Sequence, residues 1–343
     1  MTEPPPAPVS WAAHLPPGTD PAAVDLLARH TLPAAWAARW RARPDRPVVR
    51  DRGGTWLTGA DLDARTAAVA GRLAAAGLTA GDRVIVSGGA AADLVVAHCA
   101  ALRAGLVVVP VNAAYSDREL GVIAADAEPR AALVDGPLRA AAAAALGPGA
   151  VVAGTDVALP DGPPPPLDAD AAGPGDPALL PYTSGTTGTP KGALLSHGNL
   201  LASAEALVLA WRWTEDDRLV HCLPLFHMHG LGVGIHGTLL AGASAVLHPR
   251  FDVEEVLAAA ADPDLGATLF FGVPTMYARL AAAPGAGRLA GLRLCVSGSA
   301  PLSAALHARL AEATGQRVLE RYGMTETVML VSNPVDGERR PGT

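Results

Sequence analysis

Between residues 182 and 192 the chain reads YTSGTTGTPKG, a run that concentrates hydroxyls, glycines and a lysine. Backbone amides freed by Gly185, Gly188 and Gly192 can turn inward to hold an anion, as nests of successive N–H groups do. The hydroxyls of Thr183, Ser184, Thr186 and Thr187 add donors, and Lys191 adds a positive charge. The run is not a Walker loop, which needs Gly-Lys followed by Ser or Thr. Here Pro190 precedes Lys191 and Gly192 follows it. On composition alone a phosphate grip and a solvated polar turn both remain open.

A second group of chemistry-bearing residues lies in LVHCLPLFHMHG, where His221, His227 and His229 are followed closely by His236. His-x-His is a possible metal-ligand pair. No carboxylate or cysteine at zinc-finger spacing completes the set, so a zinc site is not the expected reading. Downstream, ERYGMTET places Thr325 and Glu326 after a strand-like segment, and a carboxylate is the hard oxygen ligand that magnesium prefers.

These segments resemble, in order, the signatures of the adenylate-forming superfamily of acyl-CoA synthetases, peptide-synthetase adenylation domains and luciferases. The loop YTSGTTGTPKG carries the likeness, together with LRAGLVVVPVN, LPLFHMHGL, FFGVPTMYARL, VSGSAPLS and ERYGMTET. The resemblance runs from about Thr58 to the last residue. It implies attack of a carboxylate on the α-phosphorus of ATP, loss of pyrophosphate, and capture of the acyl-adenylate by a thiol, with Mg²⁺ as cofactor and CoA as co-substrate. Such a reaction needs two anions brought together and charge neutralised on the phosphates.

The same resemblance implies roles for particular residues. Thr183, Ser184, Gly185, Thr186, Thr187, Gly188 and Lys191 would hold the phosphates, with Thr186 and Glu326 on the metal. Thr325 would contact the α-phosphate, and His227 would face developing negative charge beside the substrate carboxylate. Gly298, Ser299, Ala300, Pro301, Glu320, Arg321, Tyr322 and Gly323 would enclose adenine. Met228, Arg250, Gly272, Val273, Met276 and Met324 would line the acyl pocket.

The chain is most similar to the malonyl-CoA synthetase branch, which activates malonate and methylmalonate. A second carboxylate in a purely apolar tunnel would be left unpaired at a cost of several kcal/mol, so a cation is expected there. Arg250 and Arg279 are the sequence candidates; each also reads as an ordinary surface arginine. Short- or medium-chain monocarboxylates, then aryl acids, are the alternative substrates. A peptide-synthetase reading would need a pocket Asp for an amino group, and Asp252 is instead expected to start a helix. A luciferase-like oxidation stays open, because fold does not fix function.

Positioning such residues requires rigid elements, and the sequence alternates helical and strand patterns from Thr58 onward. LTGADLDARTAAVAGRLAAAGL opens with Thr58 three residues before Asp61, a capping-box start, and stops at Gly77. DRVIVSG, LVVVPVN, RAALVD and AVVAG read as buried strands, separated by helices near 90–104, 116–126 and 138–146. The second half repeats the layout through ALLPYTSG, RLVHCLP, ASAVLHP, ATLFFGVP, LRLCVSGSA and QRVLERYG. Continuous Val/Ile/Leu runs between helices predict an α/β fold of two doubly wound, mostly parallel sheets covered on both faces. The expected division is a flexible Pro-rich lead over 1–20, a first subdomain over 21–159, a Pro/Gly-rich linker over 160–177, and a second subdomain over 178–343.

Composition narrows the class. The 343 residues exceed a usual single core, so two packed lobes are expected. A formal net charge of −7 provides no broad basic field for nucleic acid or anionic membrane. No apolar run reaches the ~18 residues of a membrane span, and no secretory signal opens the chain. The three cysteines, Cys99, Cys222 and Cys295, are far apart and read as buried reduced thiols of a cytoplasmic protein. Members of the resembled superfamily continue for about another third beyond the point matching Thr343. That third carries a ribose-binding Asp, a hinge and a small mobile domain with the lysine that promotes adenylation. The expectation is therefore a piece of a longer protein or a short form, impaired in turnover, with a separately encoded C-terminal domain as a possible partner. Oligomeric state is not legible.

Overall fold

The computed structural model describes residues 11–26, 30–163, 172–183 and 190–342. Two large sheets form. The first has six strands, ordered Leu195–Ser196, Pro177–Leu179, Val107–Pro110, Arg83–Ser87, Ala131–Val134, Val151–Ala153. The second has eight, ordered Val331–Ser332, Leu319–Tyr322, Leu294–Ser297, Leu269–Gly272, Arg218–His221, Ser244–Leu247, Pro47–Asp51, Leu57–Thr58. Pairing is parallel through the middle of each sheet, and antiparallel strands close the edges formed by Leu195–Ser196, Leu57–Thr58 and Val331–Ser332.

The strand sequences explain the layering, since successive side chains leave opposite faces. In Arg83–Ser87, Val84 and Val86 enter the central core while Ile85 enters an outer one. In the second sheet Leu219, Leu269, Phe271, Leu294 and Val296 face the same central core, whereas Val220, Phe270 and Cys295 face another outer one. The central core also takes Trp36 of the helix Leu32–Ala42, Val95 and Cys99 of Ala92–Arg103, Leu200 and Leu201 of His197–Ala210, and Leu239 of His236–Ala241. Helices Asp117–Ala127 and Leu138–Leu146 cover the outer face of the first sheet. Helices Val253–Ala261, Pro274–Ala281 and Ala304–Thr314 cover that of the second. Strands apolar on both faces are buried on both faces, as their uninterrupted Val/Ile/Leu runs require.

The capping box at Thr58 forms: its hydroxyl accepts from the Asp61 amide, and the Asp61 carboxylate accepts from the Thr58 amide at 2.9 Å. All three cysteines are free and buried, and burial pushes the Cys222 and Cys295 thiols up to about 12. No helix among the described residues is long and apolar enough to cross a membrane.

Three features differ from the sequence expectation. The segment 160–177 does not divide the sheets. Pro177–Leu179 and Leu195–Ser196 complete the first sheet, and Pro47–Asp51 and Leu57–Thr58 complete the second. Each half of the chain thus donates strands to the other's sheet, a pairing that no local pattern encodes. The expected strand ALLPYTSG splits at Leu180–Pro181, because Tyr182–Thr183 leaves to pair antiparallel with Lys191–Gly192. Residues 1–10 of the lead lie outside the described residues, but 11–20 hold a short turn at Ala12–His14. Leu15 there is buried, and its carbonyl accepts from the Arg212 guanidinium.

Candidate active site

The second sheet delivers most of the proposed site from the C-terminal ends of adjacent parallel strands, where crevices form in open α/β sheets. After Leu294–Ser297 come Gly298, Ser299, Ala300 and Pro301, and after Leu319–Tyr322 comes Gly323. Ser299, Ala300, Pro301, Glu320, Arg321, Tyr322 and Gly323 line one cleft of about 310 Å³, so the residues expected around adenine are brought together. Gly298 meets the cleft's cation from below: a Cβ there would lie 2.6 Å from the Arg321 Cζ, so only glycine permits that approach. Glu320 also has a structural task, accepting from the Leu302 amide at 2.9 Å and the Gly342 amide at 3.3 Å. Tyr322 stands at the rim, 57% exposed.

Beyond Tyr322 the chain turns and returns as Val331–Ser332. The turn is held by the Thr327 amide donating to the Met324 carbonyl and by the Met324 amide donating to the Thr327 hydroxyl. It carries Met324, Thr325 and Glu326 on its tip. Met324 and Glu326 are exposed, and Glu326 makes no hydrogen bond or ion pair among the described residues. Its carboxylate is therefore available as a hard oxygen ligand, which fits magnesium. The other expected metal residue, Thr186, lies outside the described residues, and no group of three or more metal-ligating side chains occurs among those described.

The loop after Arg218–His221 brings in the histidines. His227 is solvent-accessible beside Phe226, with ring centroids 4.1 Å apart, yet the surrounding wall displaces enough water to lower its pKa. His229–Ile235, HGLGVGI, winds into a wide π-type turn with the Val233 amide donating to the Met228 carbonyl at 2.9 Å. Such turns are rare and frequent at functional sites. The turn buries His229, whose Nδ1 lies 3.2 Å from the Ser299 hydroxyl and whose Nε2 has no partner among the described residues. Burial first, then the charge of Arg321, drives the His229 pKa well below its usual value, so the ring is neutral. Ser299 holds this position with φ +69°, a conformation that L side chains rarely adopt.

Arg321 is the buried cation beside this cleft. It is 8% exposed, and its Nε and Nη2 have no partner among the described residues. Burial pushes its pKa down to about 10, which leaves it charged at neutral pH. The sequence reading placed Arg321 beside adenine and looked to Arg250 and Arg279 for a cation. Both of those are exposed; Arg279 lies over the Phe251 ring, 4.9 Å from its centroid. Burial without a partner is a tertiary property, so the three arginines were indistinguishable in sequence.

The expected acyl-pocket residues divide. Met228 is core, its methyl end against Gly232, and Gly272 sits beneath Phe270 and Tyr277. Val273 and Met276 are half-buried against the central core. Lys191 and Thr183 face each other across the two-residue hairpin, with Lys191 exposed. Ser184, Gly185, Thr186, Thr187 and Gly188 lie outside the described residues.

A profile of the AMP-binding enzyme family matches residues 36–343. A feruloyl-CoA synthase of Amycolatopsis is 39% identical over 300 residues, covering 85% of this chain and 59% of that protein. An ATP-bound MatB from Rhodopseudomonas palustris superposes with a TM-score of 0.82 at 39% identity, covering 90% of this chain and 63% of that one. A malonyl-CoA ligase in a ternary product complex with methylmalonyl-CoA and AMP superposes with a TM-score of 0.73 at 44% identity, over 87% of this chain and 62% of that one. The chain thus spans about three-fifths of the length of these proteins. Across that span, and with a profile match that covers nearly all of its length, the chain belongs to the AMP-binding enzyme family.

Proposed function

We propose that this chain forms the nucleotide- and acid-binding part of an AMP-forming acid–CoA ligase that activates a small dicarboxylic acid such as malonate or methylmalonate. The observation that carries the substrate is Arg321. A buried guanidinium whose Nε and Nη2 have no partner among the described residues is costly unless an anion completes it, and a second substrate carboxylate is such an anion. Neutral His229 beside it adds a donor or acceptor without adding charge. The malonyl-CoA ligase among the solved relatives is consistent with this reading.

In this reading Lys191 and Thr183 meet the phosphates of ATP, and Glu326 and Thr186 hold Mg²⁺. The metal supplies charge neutralisation on the phosphates. His227, accessible and neutral, donates to the charge that develops as the reacting carboxylate approaches the α-phosphate. Thr325 stands on the same turn as Glu326 to contact that phosphate. Tyr322 and the 298–301 wall enclose adenine. The acyl-adenylate then passes to CoA.

ATP–pyrophosphate exchange tests the acid directly, because it reports the first half-reaction alone. In a full-length protein that also carries the adenylation lysine, malonate and methylmalonate should support exchange, while butyrate, benzoate and ferulate should not. Exchange confined to ferulate and benzoate would instead favour an aryl acid, the substrate type named for the feruloyl-CoA relative. Calorimetric binding of ATP without exchange on any acid would leave a nucleotide-binding chain without turnover.

A further inference from the structure

Among the described residues, the hairpin that carries Thr183 and Lys191 has two residue pairs, Tyr182 with Gly192 and Thr183 with Lys191. A two-stranded ladder of that length is marginal in water by itself. Its ties to the rest of the molecule therefore decide where Thr183 and Lys191 stand. At its base the Leu180 amide donates to the Val108 carbonyl at 2.8 Å, and the Ala193 amide donates to the Pro181 carbonyl at 2.9 Å. Above the base, the Tyr182 ring packs on the outer core of the first sheet, the cluster that includes Ile123 and Leu120. It also lies over Gly192, where a Cβ would come 3.2 Å from the ring's Cζ, so the opposite strand stays flush with it. The Tyr182 hydroxyl donates to Asp126 Oδ2 at 2.5 Å, near the end of the helix Asp117–Ala127. Burial and the Asp126 carboxylate both raise the Tyr182 pKa, which keeps the hydroxyl protonated as a donor.

We infer that Tyr182, through its hydrogen bond to Asp126, is a positioning residue for phosphate binding: it pins the hairpin to the helix so that Thr183 and Lys191 are preset for the β- and γ-phosphates. The inference rests on the phosphate-binding reading of this hairpin. Without the pin, ATP must first select the docked hairpin, and apparent affinity falls by the fraction of molecules already docked. AMP lacks those phosphates and is indifferent.

The test compares ATP and AMP affinity by calorimetry for the unmodified chain and for Tyr182→Phe, Asp126→Ala, Asp126→Asn and the Tyr182→Phe/Asp126→Ala double variant. A charge-assisted hydrogen bond predicts about a tenfold loss of ATP affinity in Tyr182→Phe and in Asp126→Ala. AMP affinity should be unchanged in both. Asp126→Asn keeps an acceptor and should recover most of the loss, and the double variant should be no weaker than either single. Thermal unfolding accompanies each measurement, so that a misfolded variant is recognised and Asp126→Asn then carries the comparison. ATP affinity within twofold of the unmodified chain, or parallel loss for ATP and AMP, would overturn the inference while leaving the phosphate site standing. Failure of the unmodified chain to bind ATP would overturn the phosphate reading and this inference together.

Discussion

The two ends of the second sheet treat charge in opposite ways. At the end where the strands begin, buried Asp217 accepts from Arg293 Nε at 2.9 Å and Nη2 at 2.7 Å, from the Thr268 hydroxyl at 2.8 Å, and from the Thr214 amide at 2.9 Å. Those groups precede three neighbouring strands, and the fork-like pairing fixes their stagger. At the end where the strands finish, Arg321 is more deeply buried than Arg293, yet its Nε and Nη2 have no partner among the described residues. One arginine is saturated by its neighbours, and the other has donors unmet among the described residues. A satisfied charge network stabilises the scaffold, whereas an unsatisfied one spends stability at the place where a ligand can restore it.

The sharpest way to break this contrast is Asp217→Ala. Removing the shared acceptor strands Arg293 and Thr268 and should destabilise the chain by about 3 kcal/mol, measured by urea unfolding. Loss of substrate affinity in the surviving folded fraction would contradict a purely structural role. The opposite expectation holds for Arg321→Met. Stability should be unchanged or higher, because an unpaired buried charge is removed, while malonate-dependent exchange should fall about 100-fold at fixed malonate, in line with a loss of 2 kcal/mol or more for one partner of a buried charge pair. If Arg321→Met is strongly destabilising and exchange persists, the comparison fails.

Acid titration acts through several buried histidines at once. His98 and His236 share a buried contact, Nε2 to Nε2 at 2.9 Å, where the central helices meet, and His197 lies close to both. Burial lowers His98 to about 3 and His197 and His221 to about 4. All have folded values below their unfolded one, so the unfolded chain binds more protons as pH falls. Their contribution is fully present above about pH 6.5 and is lost as pH drops toward about 4. Each should add roughly 1.4 kcal/mol of lost stability per pH unit in that window. Urea midpoints at pH 7, 6 and 5 check the sign, and a flat profile would refute it. The smallest effect belongs to Ser299→Ala, which removes the hydroxyl beside His229. Stability should change by about 1 kcal/mol or less, while the KM for the acid shifts more than the KM for ATP.

Much of the architecture was legible because it is local. Thr58 and Asp61 are three residues apart, and their capping box needs no distant partner. The Val/Ile/Leu runs of the parallel strands declare burial on both faces wherever those strands pack. The order of the motifs likewise announced a family, and the cleft formed by 299–301 and 320–323 follows from two adjacent parallel strands ending together. The failures share a cause. That Pro47–Asp51 joins the sheet built by the second half, and Pro177–Leu179 the sheet built by the first, depends on pairings between residues far apart in sequence.

The sequence by itself determined the alternating α/β elements, the hydroxyl- and glycine-rich run around Lys191, and the succession from His227 to Glu326. Tertiary structure alone decided which arginine is buried without a full set of partners among the described residues, which histidine is forced neutral against Ser299, and how Tyr182 reaches Asp126. The reason is physical. Residue type and short-range periodicity fix what a segment can hydrogen-bond and which face it must bury. Desolvation and the presence or absence of a partner are instead set by atoms brought in from elsewhere in the chain.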